Sequence, residues 1–256
     1  MNTITRLYNL LHTGNAGDIT YYLDCCAPGM AVLELGCGNG RIAAALHQHG
    51  CSVDGLDNDS DMLDAFTQNL AHLKSPPRPH LADMRTFSLA AQYDRIIIPF
   101  NGLLCMLSLS DVTQVLKTAA AHLKSNGVLI FDVYYVPDDF ENDGLEDDFY
   151  IDTAVLDDGG TRVEVYEKTL AQTDPQRFDT SYLFVTDAHS PMERQLEHTV
   201  AQRCLYLHQI DQCLHDAGLT ATAIHPDFNT AGNRTDITSE TQQLAIHARP
   251  TAAMLS

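Results

Sequence analysis

The chain has 256 residues, 45% of them hydrophobic and 19% charged, the balance of a globular protein with a sizeable core and not of a disordered, fibrous or membrane-spanning one. Its 34 acidic residues against 15 basic ones give a formal charge of −19, which repels a nucleic-acid backbone and argues against DNA or RNA as a partner. No apolar run approaches the roughly 20 residues that span a bilayer, and Met1 to Arg6 has no basic region leading into an apolar stretch, so the expectation is a cytoplasmic protein without a membrane partner.

Residues 4 to 26 read as one or two short helices interrupted at Gly14 and Gly17. From Ala31 onward, short apolar runs alternate with amphipathic stretches, the pattern of βαβ units on a parallel sheet. Ala31 to Leu35 predicts a buried strand, Gly36 to Gly40 a turn, and Ile42, Ala45 and Leu46 one face of a helix that Gly50 ends. Ser52 to Asp57 predicts the second strand, and Ser60 to Leu73 a helix with Ser60 as its N-cap and Met62, Leu63 and Phe66 facing inward. Ser75-Pro76-Pro77-Arg78-Pro79 cannot continue a helix and predicts a loop before a short strand at His80 to Ala82. Tyr93 to Pro99, with three consecutive isoleucines, predicts a strand buried on both faces. A helix over Asp111 to Leu123, its C-terminal turn at Asn126-Gly127 and a strand over Val128 to Val133 bring the strands to five.

The rhythm then changes. Thr161 to Glu167, Arg177 to Thr186 and Met192 to Cys204 alternate polar with apolar residues between turn residues such as Asp158-Gly159-Gly160 and Asp174-Pro175, predicting an inserted antiparallel sheet of about four strands. A helix over Tyr206 to Ala217 and strands over Leu219 to His225 and Gln242 to His247 resume the earlier pattern. The expected fold is α/β, a Rossmann-like doubly wound seven-stranded sheet whose last strand is antiparallel, with an antiparallel β insertion after strand five. The expected domains are a helical cap over 1–30, the sheet domain over 31–137 and 205–256, and the insertion over 138–204 as a lid, a substrate element or the edge of a homodimer.

Seven cysteines, at 25, 26, 37, 51, 105, 204 and 213, form no CxxC pair and read as reduced thiols. His47 and His49 stand two apart at a helix end, where side chains diverge, and predict no metal site.

Glu34-Leu35-Gly36-Cys37-Gly38-Asn39-Gly40 carries the functional signal. Three glycines let backbone and ligand come into contact, and the helix that follows offers free N–H groups at its start. Such a turn alone suits a dinucleotide as well, but that fingerprint, GxGxxG, wants glycine where this chain has Arg41. Asp57 lies 17 residues beyond Gly40 and can accept both ribose hydroxyls of a nucleoside. Ala82-Asp83-Met84-Arg85 and Pro99-Phe100-Asn101-Gly102-Leu103 follow the third and fourth strands, at the sheet edge where open α/β sheets bind ligands.

Together these four elements resemble the motifs of class I methyltransferases that use S-adenosylmethionine (SAM) and release S-adenosylhomocysteine. The resemblance implies cofactor contacts from Glu34, Gly36, Cys37, Gly38, Gly40 and Arg41 at the bend, and from Asp57, Asn58 and Met62 beyond the second strand. It further implies Asp83 on the adenine amino group, Met84 against the ring, Pro99 and Phe100 beside the sulfonium, and no metal. Within that superfamily, Leu7-Tyr8-Asn9-Leu10-Leu11, Ala82 to Phe87, Phe131-Asp132-Val133-Tyr134-Tyr135-Val136-Pro137 and the insertion are similar to amino-sugar N,N-dimethyltransferases and to glycine and sarcosine methyltransferases. That likeness implies a small-molecule acceptor, with nitrogen ahead of oxygen as the methylated atom; an oxidoreductase and a catalytically silent SAM-binding module are the alternatives. Where the relatives have Tyr-Asp, this chain has Tyr8-Asn9. Tyr8, Asn101 and Tyr134 are the expected catalytic residues, because in-line attack on a sulfonium methyl needs alignment more than acid–base chemistry. Residues 138 to 158 carry ten acidic residues and no Lys or Arg, which reads as a field for an amine-bearing acceptor or as a solvated face.

Overall fold

The computed structural model describes residues 2–137, 150–171, 176–187 and 192–251. The chain divides into two units, one of residues 15–138 and 205–256, the other of residues 1–14 and 139–204. Residues 1–30, expected as one helical cap, are therefore shared between them. In chain order the elements begin with α1 (Thr3–Leu11), capped by the Asn2 side chain on the Thr5 amide at 2.9 Å, and α2 (Asp18–Cys25). Next come β1 (Ala31–Leu35), α3 (Arg41–Gln48), β2 (Ser52–Asp57), α4 (Ser60–Leu70), β3 (Arg78–Leu81), β4 (Tyr93–Ile98), α5 (Leu109–Ala121) and β5 (Leu123–Tyr134). β6 (Ile151–Asp158), β7 (Thr161–Ala171), β8 (Arg177–Thr186) and β9 (Arg194–Arg203) form the insertion, and α6 (Leu207–Asp216), β10 (Leu219–Pro226) and β11 (Gln243–Pro250) complete the larger unit.

Its seven strands lie in the order β10-β11-β5-β4-β1-β2-β3. Only β11, the last strand, runs against its neighbours, β5 and β10, as expected for the doubly wound sheet. Val32, Leu33 and Leu35 of β1 and Ile96, Ile97 and Ile98 of β4 are all buried, because helices cover both faces of the sheet. On one face Ile96, Ile98 and Phe131 pack with Val115 and Leu116 of α5 and Ile210 and Leu214 of α6. On the other, Ile97 and Ile130 pack with Tyr22, Ile42, Leu46 and Phe66 from α2, α3 and α4. Each large apolar side chain so withdrawn from water contributes roughly 1.5–3 kcal/mol, which is what holds the strand ends rigidly enough to carry a site.

Several local expectations fail for identifiable reasons. Asp59, not Ser60, caps α4, because its carboxylate accepts from the Asp61 and Met62 amides at 2.8 and 3.4 Å; Met62 is half-buried where Leu63 and Phe66 are fully inward. Ser108 caps α5 on the Asp111 amide, so that helix starts at Leu109. Asn126 and Gly127 do not close α5. Leu123 already pairs with Tyr93, and the strand runs on through both residues. Arg78 and Pro79, expected in a loop, lie in β3, whose edge position tolerates a proline without an N–H.

In the smaller unit β6 to β9 form an antiparallel sheet in sequence order, and Leu7 of α1 is buried with Val163, Val165 and Phe184 on one of its faces. Seven of the ten acids of the 138–158 segment fall at 138–148 and lie outside the described residues. All seven cysteines are free, and among the described residues no helix is long and apolar enough to cross a membrane.

Candidate active site

β1 leads through Glu34 and Leu35 into a bend whose Gly36, Gly38 and Gly40 have φ of 70°, 51° and 84°. The Gly36 and Cys37 amides donate to the Leu56 carbonyl at 2.8 and 3.0 Å and tie the bend to β2. A Cβ on Gly40 would stand 2.8 Å from Phe66 Cδ2, so packing as well as backbone angle requires glycine there; one on Gly38 would meet nothing within 4 Å, so a ligand has room to lie against that backbone. Asp57, at the end of β2, reaches back to this loop. Its Oδ2 accepts from the Gly38 amide at 2.8 Å and its Oδ1 from the Asp59 amide at 3.0 Å, which leaves each oxygen a further lone pair. Burial pushes its pKa up, against the pull of the Asp59 and Gly38 amides.

Behind the bend Glu34 is buried, and burial pushes its pKa up to about 8 against the pull of Arg41 and the Ala43 amide. Its Oε2 has no donor. Arg41 is instead committed to Asp18 at the start of α2, donating from Nη1 to Oδ1 at 2.9 Å and from Nη2 to Oδ2 at 2.6 Å. The Cys37 side chain is buried toward Phe66 and Gly55, so of that residue only the backbone faces the bend's open side. Asn58 is exposed at the mouth of α4.

After β3 the Ala82 amide donates to the Asp57 carbonyl at 3.0 Å, holding the two strand ends together. Met84 follows, with its Cε 3.6 Å from where a Cβ on Gly36 would stand, so this side chain walls the bend. Asp83 is gripped by Arg85, whose Nη2 donates to Oδ2 at 2.6 Å and whose amide donates to Oδ1 at 2.8 Å; Arg85 holds this carboxyl below the usual carboxylate range. Arg85 also reaches Asp111 at 3.2 Å.

The bend after β4 runs through Pro99, then Phe100 and Asn101 at φ of 55° and 59°. Asp132 of β5 accepts from the Phe100 amide at 2.9 Å and from the Asn101 amide at 2.9 Å, and from the Tyr22 hydroxyl at 2.7 Å. Burial pushes Asp132 up to about 6, while the Tyr22, Asn101 and Phe100 donors favour its charged form. Asn101 is only 2% exposed and its Oδ1 has no donor. Tyr134, two residues beyond Asp132 and on the same face of β5, is 41% exposed. Tyr8 belongs to the smaller unit, where its ring centroid lies 4.2 Å from that of His12 and 5.0 Å from that of His198.

Sequence reasoning missed Asp18, Tyr22 and Asp132. For Asp132 a signal was present: a carboxylate in the middle of the otherwise apolar run Leu129 to Val133 demands buried donors. Nothing near Tyr22 or Asp18 marked them.

Two buried acceptor oxygens without donors, on Glu34 and Asn101, at the ends of neighbouring strands β1 and β4, fit a ligand that brings N–H groups and positive charge. A pyrophosphate fits poorly, since Glu34 and Asp57 stand where it would approach the start of α3 and Arg41 is already paired. Among the described residues no cluster of His, Cys, Asp or Glu is placed to hold a metal ion. The residues present thus fit a cationic nucleoside cofactor.

Residues 32–127 match the family model of a methyltransferase domain. A dTDP-3-amino-3,6-dideoxy-alpha-D-glucopyranose N,N-dimethyltransferase from Streptomyces fradiae is 25% identical over 189 residues, 70% of either chain. The chain is a SAM-dependent methyltransferase. Its fold is shared with an S-adenosylmethionine-dependent methyltransferase from Clostridium acetobutylicum, at a TM-score of 0.76 and 16% identity over 98% of this chain and 99% of that one. A sugar N-methyltransferase from Streptoalloteichus superposes with a TM-score of 0.74 and 16% identity, over 97% and 93% of the two chains. The methyltransferase domain spans the strand ends from which the glycine bend, Asp57, Met84 and Asn101 project.

Proposed function

We propose that this methyltransferase acts in the cytoplasm on an amine nitrogen of a small molecule, with amino sugars as the leading acceptor class. The observation that carries this reading is the likeness to the amino-sugar N,N-dimethyltransferase, which extends over 189 residues whereas the matched domain ends at residue 127. The buried, donor-less Asn101 Oδ1 supports it, because an amine offers the N–H that this oxygen lacks.

When bound, SAM supplies a methyl group already activated on a positively charged sulfur. In this reading Glu34 takes the methionyl ammonium, Asp57 the ribose hydroxyls, and Met84 the adenine face. Asp83 receives the adenine amino group in place of one of the contacts that Arg85 makes to its two oxygens. Cys37, Asn58 and Met62 border the same space, Arg41 acts by holding Asp18 beside Glu34, and Pro99 and Phe100 present backbone carbonyls at the sulfur end. Asn101 and Tyr134 orient the acceptor. No side chain need abstract a proton before transfer, since an amine attacks through its lone pair and loses the extra proton to water afterwards; alignment is the main contribution of the protein. Glu34 and Asp57 beside a single, already paired Arg41 also favour a cationic cofactor over its neutral product, which assists release.

The test is incubation with SAM and a panel of free and nucleotide-linked amino sugars beside their hydroxyl-only counterparts, with products weighed by mass spectrometry. Mass gains of one and two methyl groups on the amine-bearing compounds alone, with matching S-adenosylhomocysteine, are expected. Methylation of the hydroxyl-only compounds overturns the nitrogen assignment, and failure to bind SAM in calorimetry overturns the cofactor site.

A further inference from the structure

Left-handed backbone at two successive residues with side chains is strained, and it persists only where the surroundings enforce it. Phe100 and Asn101 are such a pair. Their amides converge on one carboxylate, Phe100 on Oδ2 and Asn101 on Oδ1 of Asp132, each at 2.9 Å. Consecutive N–H groups in this conformation form a concavity for an anion, and here the anion is supplied by the chain itself. Tyr22, buried on α2, adds a third donor at 2.7 Å, so a buried charge is satisfied without any cation. A carboxamide at position 132 would offer one oxygen and turn its NH2 against one of the two amides.

We propose that Asp132, steadied by Tyr22, is a positioning residue that locks the Phe100–Asn101 bend in its left-handed form and thereby aims the Asn101 carboxamide at the methyl acceptor. The inference rests on the role given to Asn101 above. Asp132 itself touches no reacting atom in it. Its two oxygens are occupied by the bend, and the hydroxyl of Tyr22 acts only through them.

The test compares Asp132→Asn, Tyr22→Phe and the double variant in the full chain, by amide hydrogen exchange at Phe100 and Asn101, S-adenosylhomocysteine affinity in calorimetry, and turnover of whichever amine the wild type methylates. Asp132→Asn should speed exchange at both amides and lower kcat on the order of 100-fold, as a misplaced reacting group does, with affinity for S-adenosylhomocysteine held within about threefold. Tyr22→Phe should lower kcat roughly tenfold, as loss of one hydrogen bond to a charged group does, and should add nothing in the Asp132→Asn background. A purely structural role would instead move stability and leave kcat of the folded fraction alone. Unchanged exchange, turnover within about twofold of wild type, or a Tyr22→Phe loss that persists in the double variant overturns the proposal. If Asp132→Asn does not fold, Tyr22→Phe, which keeps the ring in place, decides by the same exchange and turnover readouts. The exchange measurement needs no acceptor, so an error in the acceptor class, seen as a wild type that methylates no amine, is told apart from an error in the anchor.

Discussion

Two bends border the site at the ends of the neighbouring strands β1 and β4, and both run through left-handed backbone. The one after β1 places glycines there and incurs no steric penalty. The one after β4 places Phe100 and Asn101 there and offsets the strain with a buried carboxylate 31 residues further along the chain. Both bends are tied to another strand, the first through the Leu56 carbonyl and the Asp57 carboxylate of β2 and the second through Asp132 of β5. The first reaches its left-handed form at no steric cost because it uses glycine, whereas the second keeps its side chains and needs its carboxylate to offset the strain.

The sharpest way to break this contrast is to give the first bend a side chain. Gly40→Ala should destabilise the protein by roughly 2–5 kcal/mol, combining overpacking against Phe66 and Leu70 with left-handed strain, as read from denaturant unfolding. Gly38→Ala meets no neighbour and should cost only about 1–2 kcal/mol; equal losses in the two variants would show that packing does not distinguish these glycines. Asp57→Ala should weaken S-adenosylhomocysteine binding on the order of 100-fold, since hydrogen bonds to a charged group contribute ~1.5–3 kcal/mol each. Calorimetry showing affinity close to wild type would remove Asp57 from the ribose.

Glu34 gives a prediction in pH. Burial lifts its pKa to about 8 from the ordinary 4.5, so the folded chain holds this proton more tightly than the unfolded chain. Stability without ligand should therefore fall as pH rises from about 4.5 through about 8, and Asp132, raised to about 6, steepens the lower part of that slope. Glu34→Gln should flatten the upper part. An arriving ammonium favours ionised Glu34, so SAM binding near neutral pH should release protons; calorimetry in buffers of different ionisation enthalpy measures this, and proton uptake would contradict the assignment. The smallest effect on stability belongs to the second bend. Asn101→Gly relieves the left-handed strain while loosening the unfolded chain, so unfolding free energy should shift by about 1 kcal/mol or less while turnover drops because the carboxamide is gone.

The first bend and Asp57 were legible in the sequence because each is a short-range feature: an acid-tipped apolar strand, glycines at fixed offsets, a carboxylate ending the next strand. The second bend was legible only as a place. Asn101 was picked out, but its left-handed backbone was not, since neither Phe100 nor Asn101 marks that conformation as glycine does. Arg41 was read as a cofactor residue and is bound to Asp18, a pairing across 23 residues that no local pattern encodes. Asn126-Gly127 looked like a helix end and lies inside β5, in the irregular stretch between the Tyr93–Leu123 and Arg95–Val128 pairs, because strand pairing on either side outweighs the turn preference of two residues.

Hydropathy period and glycine spacing were enough to determine the doubly wound sheet, the antiparallel insertion and the glycine bend after β1, because these follow from each residue's own backbone freedom and its immediate neighbours. Which carboxylates are ionised, which are already paired, and how the Asn101 turn is held were decided only by tertiary structure. Those properties depend on burial and on donors brought from α2 and β5, and burial is a property of the folded chain alone.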